Sequence, residues 1–177
     1  GRGSIFSICG DAGTGKSRLV EEFKSSLDLT GIQWIEGHAY AYAQNIPYFP
    51  LIDLLNRVLN IQENDAPKNV RSKIETGLEQ LVDKKEPVIP FVGSLYSLPY
   101  PETEAVSPEF WKSRLQASIQ TILSGLAKKA RTIFFLEDLH WADPTSVAFL
   151  SPLIALAGSA GRSVGNADSM QGIARGV

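Results

Sequence analysis

Cysteine is almost absent. Cys9 is the single thiol among 177 residues, so an internal disulfide is excluded and a reducing, cytoplasmic setting is expected. At the end of an apolar run, that thiol is expected to pack as a small buried hydrophobe. No run approaches the ~20 apolar residues of a membrane span, and no cleavable-signal pattern opens the chain. Charge of one sign is also lacking. A net charge of -2 and a pI near 5.7 give no electrostatic footprint for nucleic acid. There is no initiator Met, and the sequence reads as a piece of a longer protein, truncated at both ends. What remains is ordinary: 44% hydrophobic and 20% charged residues, enough for one full core.

Against that plain background stands Gly10-Asp11-Ala12-Gly13-Thr14-Gly15-Lys16-Ser17, which reads G-x-x-x-x-G-K-[ST], the phosphate-binding P-loop. Glycines let the backbone turn so that successive N–H groups face phosphate oxygens. Lys16 supplies a point charge for the β- and γ-phosphates, and the Ser17 hydroxyl can ligate Mg²⁺. Ser4 to Cys9 before the loop is short, apolar and β-branched enough for a strand. Leu19, Val20, Phe23 and Leu27 after it keep helical spacing. That helix aims its positive end at the same anion.

Gly31 is expected to close the first helix, and Ile32 to Gly37 reads as a second strand. The aromatic alternation from His38 to Pro50 suggests either a base-stacking surface or rings packed on the domain edge. No Lys or Arg accompanies the rings, which favours packing. His38 reads as a hydrogen-bonded strand-end residue, since no Cys or His nearby completes a metal site. Pro50 opens a helix with Leu51, Ile52, Leu54, Leu55, Val58 and Leu59 on its buried face. A second amphipathic helix carries Val70, Ile74, Leu78, Leu81 and Val82, weakened by Gly77. Val88 to Leu98 reads as a short helix with irregular ends, and Tyr100 to Glu104 as an exposed loop. Ser107-Pro108-Glu109 is a strong helix start, with Leu115, Ile119, Ile122, Leu123 and Leu126 in period. Lys128, Lys129 and Arg131 end it with cations.

The second chemical pattern is Thr132-Ile133-Phe134-Phe135-Leu136 followed by Glu137-Asp138. The apolar run without alternation suits a strand buried on both faces. Two adjacent acids at its end each need a partner if desolvated. A P-loop protein supplies one, because Mg²⁺ and the γ-phosphate lie off the carboxyl ends of such strands. In this Walker B reading Glu137 holds the metal through water, and Asp138 orients or deprotonates the attacking water. Asp143-Pro144 is an N-cap and first-position pair for a helix through Val147, Phe149 and Leu150. The cap explains Asp143 as well as an active-site role does. His140 and Trp141 either sense the γ-phosphate or simply pack.

GDAGTGKSRLVEEF and FFLEDLHWADPTSVAFL together resemble the STAND/AAA-type regulatory ATPases, particularly the segment beside class III nucleotide cyclase domains, and are similar to those of LuxR-type regulators. The resemblance runs from about Gly3 to Leu150. It implies ATP and Mg²⁺ as cofactors, with Gly10, Asp11, Ala12, Gly13, Thr14, Gly15, Lys16, Ser17 and Arg18 binding nucleotide. Ser17 and Glu137 would hold the metal, and Lys16 and Asp138 would serve catalysis. It also implies a cyclase or DNA-binding output domain and helical repeats elsewhere in the full protein. Such domains carry G-R-x-x-E before the first strand, which the sequence lacks, and a later strand ending in a sensor arginine. Pro152 is expected to interrupt the last helix, at about 3 kcal/mol in a helix interior. Beyond Gly158 the Gly- and Ser-rich tail makes Arg162 and Arg175 poor sensors.

The expected fold is α/β, a three-layer P-loop NTPase sandwich with a mostly parallel sheet. Its Walker B strand lies beside the P-loop strand, and a helical insertion fills Pro50 to Lys129. Residues 1–157 are the ATPase core, and 158–177 a Gly- and Ser-rich tail, either disordered or foreign to it. The expected function is Mg-ATP hydrolysis as a signalling switch. The alternative, which the missing sensor strand favours for this piece, is a scaffold that holds ATP or ADP without useful turnover. The piece itself is then expected to bind nucleotide but hydrolyse it poorly. An arginine given in trans by a neighbouring subunit, in a nucleotide-dependent oligomer, stays open. No N-K-x-D guanine motif supports a GTPase, and no arginine-rich lid supports a small-molecule kinase.

Overall fold

The computed structural model describes residues 4–159, which divide into two compact units. One comprises residues 4–28 and 150–159, the other Leu29–Phe149.

In the first unit, residues 4–10 are irregular, where a strand is expected. Strand propensity expresses a fit to a pleated, half-buried surface, and this segment has no ladder partner among the described residues. Phe6 is accordingly 88% exposed, and Cys9 is exposed rather than buried. Helix α1 (Lys16–Ser26) follows the glycine loop as its spacing predicts, and buries no residue. It stops at Ser26, so Gly31 is not its cap. Gly31 instead takes φ +73 in a turn closed by Ile32 N–H donating to Leu29 O at 3.0 Å. That conformation costs glycine nothing.

The second unit is built on two parallel strands, β1 (Ile32–His38) and β2 (Arg131–Glu137), paired from Ile32 opposite Arg131 to His38 opposite Glu137. The strand bearing the acid pair is therefore paired with β1, and residues 4–9 form no strand. These two strands make the only sheet among the described residues. β2 is half-buried along its length, with Phe134 exposed, instead of buried on both faces. Parallel strands need a long crossover, and four helices and two single helical turns supply it.

Helix α2 (Phe49–Leu59) begins with Pro50 in its first turn and buries Leu51, Leu54, Leu55 and Leu59. It lies so close to β1 that a Cβ on Gly37 would stand 3.1 Å from both Pro50 O and Leu54 Cβ. Helix α3 (Pro67–Leu81) buries Val70, Ile74 and Leu78, each one turn from the next. The short α4 (Ile89–Ser94) buries Phe91 and Val92. Pro101–Glu104 is one helical turn, α5, rather than a loop, favoured by Pro101 at its start and acids in its first turn. Helix α6 (Pro108–Lys129) starts where the capping signal places it. Phe110 N–H donates to Ser107 Oγ at 3.2 Å. Ile74, Leu78, Leu115, Ile119, Ile122 and Val92 are almost wholly excluded from solvent and make the core of this layer.

Helix α7 (Pro144–Ser159) runs through Pro152 without stopping. Proline forfeits one backbone bond there. Burial of Phe149, Leu150 and Leu153 along the same helix offsets that loss. Among the described residues, no helix is long and apolar enough to cross a membrane. The tail after 159, with Arg162 and Arg175, lies outside the described residues.

Candidate functional site

The glycine loop belongs to the first unit. Gly13 and Gly15 take φ +82 and +86, and a Cβ on either would meet nothing within 4 Å. Glycine is needed there for the backbone angle, not for room. Thr14 closes the turn twice on Asp11 O, from its N–H at 3.4 Å and its Oγ1 at 2.9 Å. Gly15 then caps α1, and Leu19 N–H donates to its carbonyl at 2.9 Å. Lys16 Nζ folds back over the loop and donates to Gly10 O at 2.7 Å and Asp11 O at 2.8 Å. Both acceptors are neutral carbonyls, so these bonds do not neutralise the ammonium. Arg18 pairs with Glu22 one turn on, at 2.9 Å and well exposed, a kind of pair worth little in water.

The residues present fit a nucleotide phosphate tail with its Mg²⁺. A helix N-terminus, open space over left-handed glycines, an ammonium and the Ser17 hydroxyl form a donor set for that group. Among the described residues no group of three or more His, Cys, Asp or Glu side chains could hold a metal ion. Mg²⁺ does not require one, since it is commonly held by one or two carboxylates plus phosphate and water.

The acid pair belongs to the second unit. Glu137 is the last residue of β2. Asp138 follows at φ 56, ψ 34, a left-handed conformation that Asp tolerates better than most residues. It turns the chain into a single 3₁₀ turn over Leu139–Trp141, closed by Trp141 N–H donating to Asp138 O at 2.8 Å. His140 Nδ1 stands 3.9 Å from Asp138 Oδ1, and its ring packs at 4.9 Å on Trp141. Asp143 is buried, with Oδ1 accepting Ser146 N–H at 3.0 Å and Oδ2 accepting the Ser146 hydroxyl. Capping α7 accounts for it.

One neighbour of Glu137 escaped the sequence reading. The parallel register sets His38 directly opposite, and His38 Nε2 lies 3.4 Å from Glu137 Oε2. On its other side His38 meets helix α2. Its backbone N–H donates to Asp53 Oδ2 at 2.9 Å, and Arg57 Nη2 lies 3.1 Å from its Nδ1. Asp53 and Arg57 are one turn apart, with Nε 3.4 Å from Oδ2. A His at a strand end and an Asp/Arg pair at i, i+4 were visible in the sequence. The register that joins them was not.

Tyr40 stacks between His38 and Tyr42, at 5.8 and 5.1 Å, with Phe49 edge-on to both tyrosines. Burial first, then the Asp53 charge, raises the Tyr40 phenol above its ordinary pKa. Tyr40, Tyr42 and Phe49 thus form a ring cluster beside His38, its outer ring Tyr42 exposed, while Tyr48 packs against Trp111 and Phe149 instead.

No curated protein and no solved structure matches the chain. The family model described as an AAA ATPase domain matches residues 1–164, and the chain belongs to that family of nucleotide-binding P-loop domains.

Proposed function

We propose that this domain binds Mg-ATP through Gly10–Arg18 and hydrolyses it as a nucleotide-dependent switch inside a larger regulator. The observation that carries the reading is the loop itself. Two glycines sit at left-handed angles that few other residues adopt cheaply, with the Lys16 ammonium held by the Gly10 and Asp11 carbonyls of the same loop. Ser17 and Glu137 are the proposed metal residues, and Asp138 the residue that orients or deprotonates water. Supporting the last role is Asp138's place immediately after Glu137 at the carboxyl end of β2. The three-layer sandwich, with 1–157 as its core, is part of the same proposal. Helix α2 against the β1–β2 pair would be one of its layers.

Calorimetry with ATP, with and without Mg²⁺, tests the reading. Lys16→Ala should lower ATP affinity at least ~100-fold, since charge-assisted bonds to phosphate are the strong ones. Unchanged affinity would refute the loop's role. Asp138→Asn should keep Mg-ATP binding while hydrolysis stops, and a variant that turns over normally removes Asp138 as the base. Tight binding by the unaltered chain without any phosphate release would select the scaffold reading instead.

A further inference from the structure

Arginine is a donor only. An Arg57 Nη2 donor at 3.1 Å favours His38 Nδ1 as the acceptor, which places the ring proton on Nε2, at ion-pair distance, 3.4 Å, from Glu137 Oε2. Asp53 Oδ2 is the farther neighbour of the same Nδ1, at 3.4 Å, and its shorter bond is to the His38 backbone N–H at 2.9 Å, so the nearer Arg57 contact is taken to set the tautomer. His38, Asp53 and Glu137 side chains are each largely shielded, at 20%, 17% and 27% exposure. The arrangement is held by main chain as well as side chain. Ala39 N–H donates to Glu137 O at 3.1 Å, which fixes the two strand ends side by side.

We propose that His38 is a positioning residue for Glu137: Arg57 and Asp53 on α2 lock its ring so that Nε2–H orients the carboxylate, making the aim of that acid depend on the first helix of the insertion. The proposal rests on the reading of Glu137 as a metal residue. A ligand's orienting partner commonly changes metal affinity 10–100-fold when lost. His38 would also be the point where movement of α2 is felt at the end of β2.

The test compares ATP binding by the 177-residue chain in Mg²⁺ and in EDTA. His38→Leu should weaken Mg-ATP binding roughly 10-fold while metal-free ATP binding stays as it was. His38→Gln places an amide N–H near the lost Nε2–H and should recover most of that loss, which a purely structural role would not predict. Arg57→Leu should give a smaller loss in the same direction. If Glu137→Gln lowers Mg-ATP affinity and His38→Leu does not, positioning is overturned while the metal reading stands. If neither variant changes the magnesium dependence, the metal reading itself fails and takes the proposal with it. Should His38→Leu not fold, ¹⁵N NMR of the unaltered chain decides, with His140→Gln used to assign the two rings. An Nε2–H tautomer at His38 is required, and an Nδ1–H tautomer overturns the lock.

Discussion

Helices α1 and α6 carry the same kind of apolar periodicity, yet α1 buries no residue and α6 buries six, among them Leu115, Ile119, Ile122 and Leu126. The glycines divide along the same line. A Cβ on Gly125 of α6 would come within 1.9 Å of Leu81 O, whereas one on Gly13 or Gly15 would touch nothing. In the helical layer, then, glycine and leucine are both consequences of packing: one makes room for a neighbouring backbone, the other fills space. In the loop the same glycines answer to a backbone angle. The comparison separates a region whose sequence is dictated by what surrounds it from one whose sequence is dictated by its own conformation.

The sharpest way to break that contrast is to shorten one leucine in each region. Leu115, wholly buried, should cost about 2–5 kcal/mol on replacement by Ala. Leu19 is 56% exposed, and Leu19→Ala should fall within about 0.5 kcal/mol of neutral. Urea unfolding of both variants measures this. Comparable losses would mean that α1 is covered in solution and that the two regions do not differ.

Glycine replacement comes next in size. Gly125→Ala forces Leu81 and the end of α3 away from α6, at about 1–3 kcal/mol of global stability. Gly15→Ala meets no atom and is opposed only by its left-handed angle, at about 1–2 kcal/mol. Its effect should appear mainly as weaker ATP binding. If Gly15→Ala lowered the urea midpoint as far as Gly125→Ala and left ATP affinity intact, the two kinds of glycine would be one.

The same division explains what the sequence could disclose. Local chemistry was readable because it needs no knowledge of neighbours. The G-x-x-x-x-G-K-S spacing names the backbone angles of Gly13 and Gly15, Ser107-Pro108 and Asp143-Pro144 name their own caps, and Val70, Ile74 and Leu78 name a helix face. Pairing was not readable. Ser4 to Cys9 has the residues of a strand, but a strand exists only with a partner. β2 was expected to be buried on both faces because its run is apolar, and Phe134 is exposed. Pro152 looked like a helix end by propensity, and burial of Phe149 and Leu153 overrode it. For the same reason His38 and Glu137, 99 residues apart in the chain, showed no sign of contact until the register set them opposite.

The smallest expected effect concerns acid, and it places one source of acid sensitivity in the packed unit. Asp65 Oδ2 accepts the Gln62 backbone N–H at 2.7 Å and the Lys73 ammonium at 2.6 Å, which ties the loop before α3 to that helix. The backbone bond first, and then Lys73, hold the Asp65 carboxyl below its ordinary pKa. A carboxylate with a depressed native pKa stabilises the fold above its unfolded value, near 4. That contribution is lost as pH falls from there through the native value. Asp65→Asn should therefore differ from the unaltered chain by a constant amount above about pH 5, with the difference shrinking as pH drops below about 4. Thermal unfolding from pH 7 down to pH 3 measures it. A difference that grows toward low pH would mean Asp65 is not held by these partners, and the packed unit would then owe its acid sensitivity to some other group.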